Sequence, residues 1–284
     1  MEQDCRHATD VTVDDLLRSA KEMAAEGRLT RALEILEQLL HDAPDQSEAL
    51  RVRGTVLFQL GQTSKALADL DRAITLHPDC AACYFERGTV HLCKSNVQAA
   101  IEDFSNCLAV DPTHAPALAS RAAMLLQAAR LEEALEDITS AAAARPQNDR
   151  DIHNRAVVLA HLGRTQEAIR EYERALVLNP DSGGTHNNLA WLLATAPDSN
   201  IRDGKRAVEH ALRAVELGEN GAWLDTLAAA HAECGDFEAA IRAEEAAYSR
   251  SDEGNTAFLK RMALYRRGVS YASWLEARKR DEDV

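Results

Sequence analysis

The chain has 284 residues, with 46 acidic against 32 basic side chains and a formal net charge of −14. That balance argues against a protein that grips phosphate backbones, which takes Lys and Arg to displace counterions, and it permits a basic partner. Hydrophobic residues make up 46% and aromatics only 5%, so the core rests on Ala and Leu in a sequence poor in Gly and Pro, a composition that favours helix.

Residues 1–12, MEQDCRHATDVT, carry acids where a secretory leader needs a basic and then an apolar stretch, and they read as a disordered tail. No run of about 18 or more apolar residues follows, so no membrane span is expected. Six cysteines without a leader point to a reducing cytoplasmic setting and free thiols. From Val13 a period of 34 residues sets in: Pro44, Pro78, Pro112, Pro146 and Pro180 stand in register, as do Ala32, Ala66, Ala100, Ala134 and Ala168. Within each period apolar residues recur at steps of three and four, a glycine such as Gly61 splits the unit, and the proline closes it. Each period is therefore two antiparallel helices. The regular units are 13–46, 47–80, 81–114, 115–148 and 149–182.

The sixth unit, 183–220, reaches its mid-helix alanine at Ala207, five residues late, so its two helices are separated by an insertion within 196–204, with Asp203 as the helix cap. The seventh, 221–253, restores the hairpin with Gly235 at the turn. Residues 254–268 read as a single capping helix and 269–284 as a polar tail.

Leu50, Gly54, Leu57, Ala66, Leu70, Ala73 and Pro78 form a signature that recurs as Tyr84, Gly88, His91, Ala100, Phe104, Cys107 and Pro112, and again from Ile152 to Pro180. This pattern resembles the tetratricopeptide repeat. The resemblance implies an all-α, right-handed superhelical solenoid of about seven helix-turn-helix repeats plus the capping helix, with first helices lining a concave groove. It implies a non-catalytic scaffold that binds a peptide or protein segment. The charge argues against nucleic acid, the lack of a long apolar run against a membrane, and the spacing of the cysteines and histidines against a metal, and no cofactor is expected. Self-association of the array is an alternative, and the oligomeric state stays open. The segments LAWLLATAPD and LDTLAAAHAE are similar to the C-terminal ends of many bacterial members.

Repeat positions 7 and 23 covary within the chain: Arg53 with Asp69, Arg87 with Asp103, Arg121 with Asp137, and Arg155 with Glu171. A hairpin turning near position 15 sets these side by side, which predicts a structural ion pair in each. Cys80 and Cys83 form a CxxC between units. Such a pair serves redox chemistry beside a βαβ pattern, which is missing here, so the main reading is scaffold and the alternative a redox-responsive or enzyme-accessory protein. Position 6 holds Asn154 and Asn188, with Asn187 beside the latter. Peptide-binding relatives carry asparagine ladders at this slot, because one amide offers a donor and an acceptor to a peptide backbone. Phe85 and Trp191 are candidate aromatic anchors, and His153 faces the same expected groove. The lysine and arginine spacing of a carboxylate clamp is not met in any triplet of repeats.

Overall fold

A computed structural model describes residues 12–218, 221–250 and 256–282, so residues 1–11 of the expected tail lie outside them. The described residues form sixteen α-helices in two compact units that divide between Leu125 and Leu126. The first unit holds α1 (Val13–Ala25), α2 (Leu29–Asp42), α3 (Ser47–Gln59), α4 (Thr63–Leu76), α5 (Ala81–Cys93), α6 (Val97–Val110) and most of α7 (Ala115–Gln127). In the second follow α8 (Leu131–Ala144), α9 (Asp149–His161), α10 (Thr165–Leu178), α11 (Gly183–Thr195), α12 (Gly204–Leu217), α13 (Gly221–Glu233), α14 (Phe237–Ser249), α15 (Thr256–Tyr265) and α16 (Tyr271–Glu282).

Within each unit helices pair as hairpins and second helices pack on the next first helix: α2 on α3 and α4 on α5 in the first unit, α8 on α9, α10 on α11 and α12 on α13 in the second. One hairpin cannot bury its apolar face alone, and this stacking completes it. The turns are left-handed at one residue: Gly61 has φ +76°, Gly163 +73° and Gly235 +79°. Ser95, at φ 59°, and Ala129, at φ 57°, hold the same conformation without being glycine. Close helix approach needs small side chains. A Cβ on Gly88 would lie 2.8 Å from the Phe104 ring, and Ala66, Ala100 and Ala168 are fully buried.

The core of the first unit gathers Leu36, Leu39, Leu50, Val56 and Cys83, and that of the second Ile169, Tyr172, Leu189, Leu193, Leu227 and Tyr265. Asp203 caps α12 by accepting the Arg206 N–H at 3.1 Å, as the sequence predicts. The C-terminal stretch departs from expectation. Residues 271–282 form a helix, not a polar tail. Gly268, at φ +71°, makes the same left-handed turn as the hairpin glycines, and Ser270 caps the new helix by accepting the Ser273 N–H at 3.3 Å.

Candidate functional site

Helices α9 and α11 are the first helices of adjacent hairpins, and an open cleft of about 290 Å³ lies on them. Val157, Ala160, His161, Tyr172, Asn188, Trp191 and Leu192 line it. Tyr172 is 2% exposed and hydrogen-bonds Asn188, and burial pushes its phenol up to about 12. Asn187 donates to Asn188 Oδ1 at 3.3 Å, while its own Oδ1 is buried with no hydrogen-bond partner among the described residues. The cleft thus combines an apolar floor with amide, phenol and imidazole groups.

The sequence candidates divide. Asn188 and Trp191 line the cleft; Asn154 is exposed on α9 and is not part of its wall. His153 is half-buried, with Nδ1 2.9 Å from Thr185 Oγ1 and its ring 5.4 Å from Tyr172. Burial pushes its pKa down, so it pins α9 to α11 as a neutral ring. Phe85 belongs to the first unit, packed against Phe104 at 5.9 Å and His114 at 4.9 Å.

The first-helix face of the first unit is charged instead. Arg51 on α3 pairs with Glu48 at 2.7 Å and with Glu86 on α5, which also accepts from Thr55 Oγ1 at 2.8 Å. Lys21 on α1 reaches Glu48 at 2.7 Å. Arg51 holds the Glu48 carboxyl down at about 2, whereas burial pushes Glu86 up.

Within hairpins, Arg53 grips Asp69 through Nε at 2.6 Å and Nη2 at 2.7 Å, and Arg87 grips Asp103 at 2.6 Å. Arg155 bonds Glu171 through Nε at 3.2 Å and through Nη2. Arg121 and Asp137 belong to different units, and their pairing stays an expectation; in its own unit Arg121 donates to Ser105 Oγ at 3.1 Å.

The tetratricopeptide repeat pattern matches residues 17–81, 52–106, 85–149 and 151–182, more than half of the chain. The chain belongs to the tetratricopeptide repeat family. Among solved structures it is similar to pilF of Pseudomonas aeruginosa, at 21% identity over 76% of this chain and 96% of that one, with a TM-score of 0.64. A tetratricopeptide repeat protein of Parabacteroides merdae is 17% identical over 89% of this chain and 98% of its own, with a TM-score of 0.61. YrrB, described as having an unusual peptide-binding site, is 17% identical over 66% of this chain and 95% of its own, with a TM-score of 0.59. At these identities the likeness speaks to the fold alone. Among curated proteins none matches the chain.

In this tetratricopeptide array the cysteines differ from expectation. Cys80 and Cys83 are joined by a disulfide rather than free, with Cα atoms 5.3 Å apart. The physical reason is local: Cys80 is the N-cap of α5, and its Sγ accepts the Cys83 N–H at 3.2 Å, which brings the two sulfurs together. Cys93, Cys107 and Cys234 are free. No group of three or more metal-binding side chains occurs among the described residues, and no helix there is long and apolar enough to cross a membrane.

Sequence reasoning passed over Tyr172 as a signature residue and missed Arg202, Tyr271, Trp274 and Glu276. The Gly268-Val269-Ser270 turn and cap, followed by aromatics three apart, were the signal for Tyr271 and Trp274.

Proposed function

We propose that the chain is a non-catalytic scaffold that holds an extended peptide or protein segment against α9 and α11. The observation that carries this reading is the cleft between Asn188 and Trp191, an apolar floor with an amide at its wall. An amide pair grips a peptide backbone without reading side chains, and a tryptophan supplies an anchor. The acid excess of the chain favours a basic segment.

The test is affinity capture with the full chain, followed by anisotropy with the recovered segment. Asn188→Ala is expected to weaken binding about tenfold, from one or two neutral hydrogen bonds of about 0.5–1.5 kcal/mol each. Asn154→Ala, off the cleft wall, is expected to cost less. Unchanged affinity in both, with circular dichroism intact, removes the cleft from the binding face.

A redox-responsive array is the second reading, favoured by the Cys80–Cys83 disulfide. A loop this short removes little entropy from the unfolded chain, so reduction is expected to leave helicity unchanged. A change in segment affinity on adding reductant, abolished by Cys80→Ser, would select this reading over the first.

A further inference from the structure

Helix α16 does not pack as an ordinary second helix. It lies against α11, α13 and α15, the first helices of successive hairpins. Two groups of contacts seat it. The Tyr271 ring is 5.9 Å from that of Trp191, and Trp274 stacks on Tyr271 at 5.6 Å. Arg202, carried by the insertion between α11 and α12, has a side chain only 10% exposed. It donates Nε to Glu233 Oε1 of α13 at 2.8 Å, Nη1 to the Ala196 carbonyl at 3.0 Å, and Nη1 to Glu276 of α16. Ser270 adds a bond to Glu233 Oε2 at 3.1 Å.

These contacts are specific and yet bury little of α16. Of its side chains from Tyr271 to Lys279, only Ala272 is buried; Tyr271, Trp274, Leu275 and Glu276 are half-buried and the rest exposed. The receptor side is built without it. Leu189, Ala190 and Leu193 of α11 and Ala228 to Ala230 of α13 are core residues of the second unit. Arg202 keeps Glu233 and the Ala196 carbonyl whether or not Glu276 is present, so leaving the surface strands no buried charge on it.

We infer that the face made by Trp191, Arg202 and Glu233 is a helix-docking surface, and that α16 is its exchangeable resident. The partner it fits is an amphipathic helix with aromatic residues at i and i+3 and a glutamate at i+5, the pattern of Tyr271, Trp274 and Glu276. Trp191 borders both this face and the α9–α11 cleft. The inference rests on the binding reading above and extends it: a partner that runs past Trp191 displaces α16.

The test uses the full chain carrying Tyr271→Ser and Glu276→Lys, which loosens α16 and leaves Trp191, Arg202 and Glu233 in place. The probe is a dye-labelled synthetic peptide of residues 267–282. A tethered segment competes at an effective concentration on the order of millimolar, so the variant is expected to bind the probe about tenfold or more tighter than wild type. A probe with the same two substitutions should bind neither protein, and adding Trp191→Ala to the variant should abolish the gain. Equal binding by wild type and variant, or binding by neither, overturns the inference and makes α16 a fixed cap. Native-state hydrogen exchange of the wild type gives an independent answer if the variant misfolds. Amides of α16 exchanging well before those of α11 and α13 support the inference, and exchange together with them overturns it. Neither outcome bears on the cleft, whose test is Asn188→Ala.

Discussion

The two units present different first-helix faces. On α1, α3 and α5 the side chains of Lys21, Glu48, Arg51, Thr55 and Glu86 bond one another, and charge meets charge within the same face. On α11 the residues are Asn187, Asn188 and Trp191, with Tyr172 of α10 beside them, a cleft on one side of Trp191 and α16 on the other. The same 34-residue scaffold carries both. The lesson is that the repeat sets where a face lies, while the residues between the signature positions decide whether it has bonding capacity to offer. A network of mutually satisfied charges offers little, and truncating one member exposes how much desolvation it was offsetting.

The largest expected effect separates the faces by burial. Arg202→Ala leaves Glu233 and Glu276 facing each other without their cation, and is expected to cost about 3–5 kcal/mol. Trp191, Trp223 and Trp274 are the three tryptophans of the chain. Denaturation followed by their fluorescence therefore reports the second unit. Arg51→Met is expected to cost less, about 1 kcal/mol, read by hydrogen exchange in α3 and α5, because Glu48 is 40% exposed and water solvates it once its partner is gone. Burial pushes Glu86 up, and its Thr55 bond does not depend on Arg51. Equal costs at the two arginines would break the comparison.

A second difference is in response to pH. The second unit buries Glu244 completely, beside Asp225, Tyr265 and Arg261, whose Nε lies 2.6 Å from Asp225 and 3.0 Å from Glu244. Burial, and then the Asp225 charge, push Glu244 up to about 8. The folded state thus holds a proton that the unfolded state releases above about 4.5, the ordinary value. Stability from this group is full below that value and declines as pH rises towards about 8. Glu244→Gln keeps an oxygen for Arg261 and an N–H for Asp225 while removing the titration. Its unfolding free energy is expected to vary less between pH 6 and 8.5 than that of wild type, on the order of a few kcal/mol less across the range. An unchanged pH slope would place the proton elsewhere.

What was legible in the sequence is what repeats. Pro78, Gly61 and Ala66 announce the hairpin because each enforces one local geometry every 34 residues. The covariation of Arg53 with Asp69 and of Arg87 with Asp103 was equally visible, since a fixed spacing of 16 recurs. The aperiodic contacts were not. Arg202 meets Glu276 across 74 residues, and Arg261 meets Glu244 across 17 in a pairing used once. Nothing within one period marks them. Asn154 and Asn188 share a repeat position, but only Asn188 reaches the cleft wall. Position alone does not fix the neighbours of a side chain when the next hairpin carries an insertion.

The smallest effect sharpens the comparison from the side of the regular hairpins. Ser95 holds φ 59° between α5 and α6, where Gly61 holds φ +76° between α3 and α4. A side chain in this left-handed conformation crowds the following carbonyl, at a cost of roughly 1–2 kcal/mol. Glycine avoids that crowding but loses about 0.5–1 kcal/mol more to chain entropy on folding. The balance favours Ser95→Gly by up to about 1 kcal/mol. The Ser95 N–H to Leu92 carbonyl bond, at 2.9 Å, involves only backbone and survives the change. The gain is therefore expected as slower amide exchange in α5 and α6, with the tryptophan-reported transition of the second unit unmoved. A shift in that transition as well would mean that the two units unfold as one and that their faces are not energetically separate. A loss of protection in α5 and α6 would mean that the serine side chain contributes a bond worth more than the strain it carries.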